Sequence, residues 1–289
     1  MREQLTILSI LMKLRITALV SITTAFGYIL YAKEISVDMI MPILGIFLMA
    51  AGASALNHLQ EYRTDAMMPR TMKRPVPSGK ISTELALFYA LLFALSGGVV
   101  LLYDGGLLTA LLGVLALFWY NAIYTPLKKR SAFAVVPGSV IGAIPPVVGW
   151  VSAGGELFAP QILLVALFFF IWQIPHFWLL LLIFDDDYQA AGMPTLSKYF
   201  SKQQLSRLTF IWTVATAGLA MLLPLYGVVS SSITMVLLAV SAIGLLLYSL
   251  KLLRSVNEMK IYRYSFHGIN TFVLLVMIFI TLEKLVTTP

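Results

Sequence analysis

The sequence predicts an all-α polytopic membrane protein, a bundle of nine transmembrane helices with the N-terminus cytoplasmic. Three observations carry that prediction. Of 289 residues, 60% are hydrophobic and only 11% are charged, with a mean hydropathy of +0.90, whereas soluble domains carry about 25% charged residues. The apolar residues gather into runs close to the ~20 residues that cross a bilayer as a helix. All but two of the 20 Lys and Arg fall beside alternate connections between those runs. This composition excludes a soluble globular domain, a disordered chain and a coiled coil. With no cysteine there is no disulfide framework, thiolate metal site or cysteine nucleophile.

In chain order the spans are Leu14–Tyr31, Met39–Leu56, Leu85–Tyr103, Leu107–Tyr124, Ala134–Val151, Ile162–Ile183, Leu208–Val228, Ile233–Leu252 and Ser265–Leu282. In lipid each must satisfy its own backbone hydrogen bonds, which selects helices over an open sheet. Residues 1–289 read as a single domain. The first span follows few residues and precedes many more spans, so it reads as neither a cleaved signal nor a transit segment, and a plasma membrane is expected. Arg2, Lys13 and Arg15 flank span one. Arg63, Arg70, Lys73, Arg74 and Lys80 follow span two, Lys128, Lys129 and Arg130 follow span four, and Lys198, Lys202 and Arg207 follow span six. Lys251, Arg254, Lys260 and Arg263 surround the turn after span eight, leaving only Lys33 and Lys284 on the other side. The positive-inside rule makes the basic side cytoplasmic. The net charge of +7 is then a topology signal, and nucleic acid is not expected as a partner.

Connections on the outer side are short, as at Asp104-Gly105-Gly106. Two cytoplasmic ones are long and polar, and loops on a rigid scaffold carry function. In the first, Asn57, Glu61 and Asp65 recur every fourth residue and share one face if the helix continues, each about 6 Å further along the axis. Carboxylate and amide oxygens, completed by water and phosphate, suit Mg²⁺; the same spacing also suits a helix end of solvated polar residues. Arg70, Lys73 and Arg74 follow between prolines, and guanidinium forks match phosphate oxygens, though Lys73 and Lys80 serve equally as topology charges. In the second loop Asp185, Asp186 and Asp187 are consecutive. Adjacent carboxylates repel unless cations lie among them, so a paired metal site stands beside a solvated turn. Neither loop has a phosphate-binding glycine run.

Inside span six, Trp172-Gln173-Ile174-Pro175-His176-Phe177-Trp178 places an ionisable group within the membrane, where such groups mark function by default. A neutral imidazole can ligate iron or hold a polar substrate group; it can also be satisfied by a neighbouring helix. His58 and His267 read as structural. In span five, Gly138, Gly142 and Gly149 allow close helix approach, and Pro145-Pro146 is expected to break the helix.

Together these stretches resemble the UbiA-type intramembrane prenyltransferase superfamily and, within it, the heme O synthase branch. The matching residues are Asn57 to Asp65 with Met68-Pro69-Arg70-Thr71 and Arg74-Pro75; Tyr124-Thr125-Pro126-Leu127-Lys128-Lys129-Arg130; Gly142 to Trp150; and Pro175-His176-Phe177-Trp178 with Asp187-Tyr188 and Ala191-Gly192-Met193-Pro194. The Pro-His-Phe-Trp, Asp-Tyr and Arg-Thr-x-x-Arg-Pro elements single out that branch. Two positions depart from the family pattern, which has Asp where Glu61 and Arg63 stand here. Glu61 keeps a carboxylate and Arg63 removes one; Asp186 replaces a common Glu.

The resemblance implies transfer of farnesyl from farnesyl diphosphate to a vinyl group of heme B, giving heme O in a lipid bilayer, with heme A synthase as a downstream partner. It implies Mg²⁺ held by Asn57, Glu61, Asp65, Asp185 and Asp187. Arg70, Arg74, Lys128 and Lys198 would bind diphosphate, and Tyr124, Trp172, His176, Phe177 and Trp178 would form the heme and prenyl pocket. The catalytic group would be Asn57, Glu61, Asp65, His176 and Asp187, the active site facing the cytoplasm. Two other readings remain: a prenyltransferase acting on a quinone precursor, for which a membrane-embedded Pro-His-Phe-Trp has no obvious use, and a transporter, which should space ionisable residues through several spans.

Overall fold

The computed structural model describes residues 2–254 and 259–286. It is helical throughout, with no strand among the described residues. The principal elements are α1 (Arg2–Leu11), α2 (Leu14–Ala32), α3 (Ile40–Asp65), α4 (Thr83–Phe118), α5 (Val140–Ser152), α6 (Pro160–Ile183), α7 (Lys202–Leu222), α8 (Ser232–Ser249) and α9 (Met259–Val286).

Among the described residues, eight helical stretches are long and apolar enough to cross a membrane. The expected third and fourth spans form one of these, because α4 is interrupted by a single residue. Gly106 has φ 72° and ψ −164°, a conformation open essentially only to glycine. There the chain turns back on itself. Thr109 Oγ1 donates to the carbonyls of Leu101 at 2.8 Å and Gly106 at 2.9 Å, and a Cβ on Gly113 would meet the Leu101 side chain. In a straight helix twelve residues separate positions by about 18 Å, so these two limbs run antiparallel.

The helices form two groups. α2, α3, α4 and α5 pack together, as do α6, α7, α8 and α9; the groups meet where α5 lies on α6 and where α9 reaches α2. α2 and α5 touch backbone to backbone: a Cβ on Gly27 would overlap the Pro146 carbonyl, and one on Gly149 the Thr24 carbonyl. The expected break at Pro145-Pro146 does not occur. α5 runs through both prolines, and the interruption falls before them, at Ser139. The prolines remove the N–H groups that would bond the carbonyls of Ile141 and Gly142, but close packing on α2 and α6 holds the helical path. Apolar side chains on the outer faces, such as Leu91, Leu95 and Val99 of α4 and Leu247 of α8, are exposed, as a multi-pass membrane protein requires of surfaces facing lipid.

α3 continues past its apolar end to Asp65, so Asn57, Glu61 and Asp65 do share one face. The loop beyond it is ordered by Thr71 Oγ1 donating to the Asp65 carbonyl at 2.9 Å and by Ser82, which caps α4 by accepting from the Leu85 N–H. At the other end of the fold, Glu283 Oε1 accepts from the Ser230 and Ser231 N–H groups at 2.6 and 3.2 Å, tying α9 to the start of α8.

Candidate active site

The polar face of α3 is buried, and each of its three side chains meets one cation. Asp65, 1% exposed, accepts from Arg74 Nη1 at 2.7 Å. Glu61 Oε1 lies 2.5 Å from Lys128 Nζ. Asn57 Oδ1 accepts from Lys13 Nζ at 2.7 Å, and its Nδ2 donates to Thr125 Oγ1 at 3.1 Å. Lys13 also donates to the Tyr120 hydroxyl at 3.0 Å. It reaches this position because the chain between α1 and α2 adopts a left-handed conformation at Lys13 itself, φ 48°.

Burial, with Lys128 and Arg74 close by, pulls the Lys13 ammonium from 10.5 down to about 7. Burial would lower Lys128 too, but the Glu61 carboxylate beside it, helped by neighbouring tyrosines, holds it well above its ordinary value. Three cations thus converge on one acidic face, and an anion placed among them would relieve their mutual repulsion. The donors are all oxygens, which suits a hard cation. Among the described residues no three His, Asp or Glu side chains cluster as a metal cage. Carboxylate and amide oxygens of this kind fit an ion that also takes phosphate oxygens.

The second acidic loop comes to the same end of the bundle but contributes unevenly. Asp187 Oδ2 is 3.7 Å from Arg70 Nε, linking the loop after α6 to the loop after α3. Arg70 also lies over the Phe184 ring at 4.8 Å, and Met68 packs with Ala191, Met193 and Tyr188. Asp185 is turned elsewhere: its oxygens accept from Ser197 Oγ and Gln189 Nε2, both at 2.7 Å. Asp186 and Lys198 are exposed, and Lys198 makes no ion pair among the described residues. Of the residues expected at the site, Asp185 is thus engaged by Ser197 and Gln189, and Lys198 is exposed.

From the ion-paired face a line of rings runs into the bundle. Tyr120 stacks on Tyr124 at 5.9 Å, Tyr124 meets Phe177 at 6.2 Å, Phe177 meets His176 at 5.4 Å, and His176 meets Trp172 at 5.1 Å. His176 Nδ1 lies 2.7 Å from Asn270 Oδ1 on α9. Trp178, expected in the same pocket, is not on this face. Two residues along a helix turn the side chain by about 200°, and Trp178 is buried between α6 and α7 with its ring edge-on to Trp212 at 6.2 Å.

Reading the sequence missed Lys13, Thr125 and Asn270. The charge of Lys13 sits where positive-inside residues belong, and nothing local in the sequence marks its left-handed backbone. Asn270 carried a usable signal, a polar amide in the middle of the last apolar span. Gly142 was read as a packing residue, and it is one: a Cβ there would overlap the Gln173 side chain.

The sequence pattern of the UbiA prenyltransferase family matches residues 19–273. The protoheme IX farnesyltransferase of Oleidesulfovibrio alaskensis is 34% identical over 280 residues, covering 97% of each chain. That of Geobacter sulfurreducens is 39% identical over 222 residues, covering 76% of this chain and 82% of its own. Among solved structures, digeranylgeranylglyceryl phosphate synthase superposes with a TM-score of 0.79 at 15% identity, covering 98% of this chain and 99% of its own. A UbiA homolog from Archaeoglobus fulgidus bound to GPP and Mg²⁺ does so with a TM-score of 0.70 at 14% identity, covering 97% and 100%.

Proposed function

The chain belongs to the UbiA prenyltransferase family, and from that premise we propose that it transfers the farnesyl group of farnesyl diphosphate to a vinyl group of protoheme IX, giving heme O and diphosphate. Relatives that cover nearly the whole chain support this acceptor. The observation that carries the reading is the joining of two unlike places, an ion-paired polar face and a membrane-embedded histidine, by continuous ring contacts from Tyr120 to His176.

At the polar face Arg70, Arg74, Lys128 and Lys13 receive the diphosphate. Asn57, Glu61, Asp65 and Asp187 are the side chains that would hold Mg²⁺, which when bound neutralises the charge developing on the leaving group. As the C–O bond breaks, its electron pair departs with diphosphate and an allylic cation remains. Tyr120, Tyr124 and Phe177 offer ring faces that tolerate that cation in a place from which bulk water is excluded. The vinyl double bond supplies the electron pair for the new C–C bond, so no activated Ser, Cys or Lys nucleophile is needed. Water then captures the cation beside the porphyrin and loses a proton. His176, near the far end of the ring line, holds the heme by its iron.

The finer topology we propose is nine crossings, the hairpin at Gly106 dividing the longest stretch in two, with the N-terminus and the ion-paired face on the cytoplasmic side of a plasma membrane, where the basic residues gather. Residues 1–289 act as one unit, and heme A synthase receives the product. The test is incubation of detergent-solubilised protein with protoheme, farnesyl diphosphate and Mg²⁺, followed by mass analysis. A farnesylated heme that disappears with chelator and returns with Mg²⁺ is expected. Diphosphate release with a phenolic acceptor and none with protoheme would overturn the heme reading and keep the family.

A further inference from the structure

The hydrogen bond between α6 and α9 determines more than the position of a ring. Asn270 Nδ2 donates to the Phe266 carbonyl at 2.7 Å, and a carbonyl oxygen can only accept. That bond fixes which way the Asn270 amide faces: Oδ1 must be the atom turned to His176 Nδ1 at 2.7 Å. An amide oxygen also only accepts, so Nδ1 carries the proton and Nε2 carries the lone pair. The ring is held in place by Trp172 at 5.1 Å, Phe177 at 5.4 Å and Phe266 at 4.7 Å. A neutral imidazole among apolar groups would otherwise place its proton on either nitrogen. In metal sites the acceptor on the far nitrogen selects the tautomer and raises the basicity of the ligating one.

We propose that Asn270 is the positioning residue for the acceptor substrate, fixing His176 in the Nδ1–H form so that Nε2 is free to ligate the iron of protoheme. This deepens the heme reading and rests on it. It also gives the last span a share in the site.

The test is titration of the purified full-length protein in detergent with protoheme, followed by Soret absorption and, in the ferrous state, by the iron–histidine stretching frequency. His176→Ala should lose the histidine-ligated spectrum. Asn270→Ala should weaken heme binding by about ten- to a hundred-fold and lower the stretching frequency. Asn270→Asp, which keeps an acceptor and strengthens it, should restore affinity and raise the frequency. Far-ultraviolet circular dichroism and a monodisperse gel-filtration profile report an intact fold in all three variants. Wild-type affinity and frequency in Asn270→Ala would overturn the role of Asn270 while leaving heme as the substrate. An unaltered spectrum in His176→Ala would overturn the inference at its premise, and wild-type protein that neither binds nor farnesylates protoheme would remove the heme reading itself. If Asn270→Ala fails to fold, Asn270→Asp decides alone: an unshifted frequency overturns the proposal.

Discussion

The two acidic clusters at the polar end of the bundle contain similar side chains in opposite surroundings. Asn57, Glu61 and Asp65 lie along one buried face of α3, each engaged by a different cation drawn from a different part of the chain. Asp185, Asp186 and Asp187 sit on a short, partly exposed helix. One is tied to its own loop, one is exposed to solvent, and one reaches across to Arg70 over 3.7 Å. Carboxylate density alone therefore says little. A buried acid surrounded by fixed positive charge is a preorganised site, whereas an exposed one can rearrange around whatever arrives and is screened by water.

That contrast can be broken from the buried end first. Asp65→Ala leaves the Arg74 guanidinium facing an empty partner position. Turnover should fall about 10²–10³-fold, the usual effect of losing one preorganised charge-stabilising group, and breaking a buried pair costs about 3–5 kcal/mol, toward the low end here because Arg74 is 23% exposed. Product mass and thermal denaturation in detergent measure the two effects, and wild-type turnover in a folded Asp65→Ala protein would remove Asp65 from the site.

Next comes Lys128→Met, which strands Glu61 without its cation. The double change Lys128→Met with Glu61→Gln should recover part of the lost stability, with a coupling of about 0.5–3 kcal/mol in a double-mutant cycle. Simple additivity would show that the 2.5 Å pair contributes nothing as a pair. Lys13→Met should then raise the KM for farnesyl diphosphate by about tenfold, the loss of one charge-assisted contact of about 1.5 kcal/mol, with a smaller effect on kcat. An effect confined to kcat would instead place Lys13 at the reacting carbon.

The exposed cluster should respond least. Arg70→Ala should change stability by under about 1 kcal/mol and show itself as a KM effect that weakens with added salt. Asp185→Asn and Lys198→Ala should each stay within about 0.5 kcal/mol of wild type in stability, with wild-type turnover. A large loss of activity in either would restore it to the site that its place in the sequence suggested.

Much of the architecture was legible because it follows from local periodicity. Apolar runs announced the spans, and the four-residue spacing of Asn57, Glu61 and Asp65 announced their shared face once α3 was extended. The hairpin at Gly106 was visible as a short polar interruption. Trp178 is close to His176 in sequence, yet about 200° of helical rotation separates the two side chains, and its ring meets Trp212 instead. The proline pair of α5 predicts a break by local rules, which take no account of neighbouring helices, and here α2 and α6 hold the segment on both sides.

The sequence by itself determined that the chain crosses a membrane many times, which connections carry charge, which side chains are chemically able to bind diphosphate, and which family it belongs to. Each of these depends on residue type and on spacing within one helix or loop. Tertiary structure alone decided that Lys13 joins Asn57, that Lys128 faces Glu61, that Arg70 bridges the two loops and that Asn270 turns the proton of His176. Those partners lie 44, 67, 117 and 94 positions apart, and no local preference encodes which of several similar cations or amides a buried group will meet. That choice is made only when the helices pack, because a polar group taken out of water must find its partner among the groups the fold brings alongside.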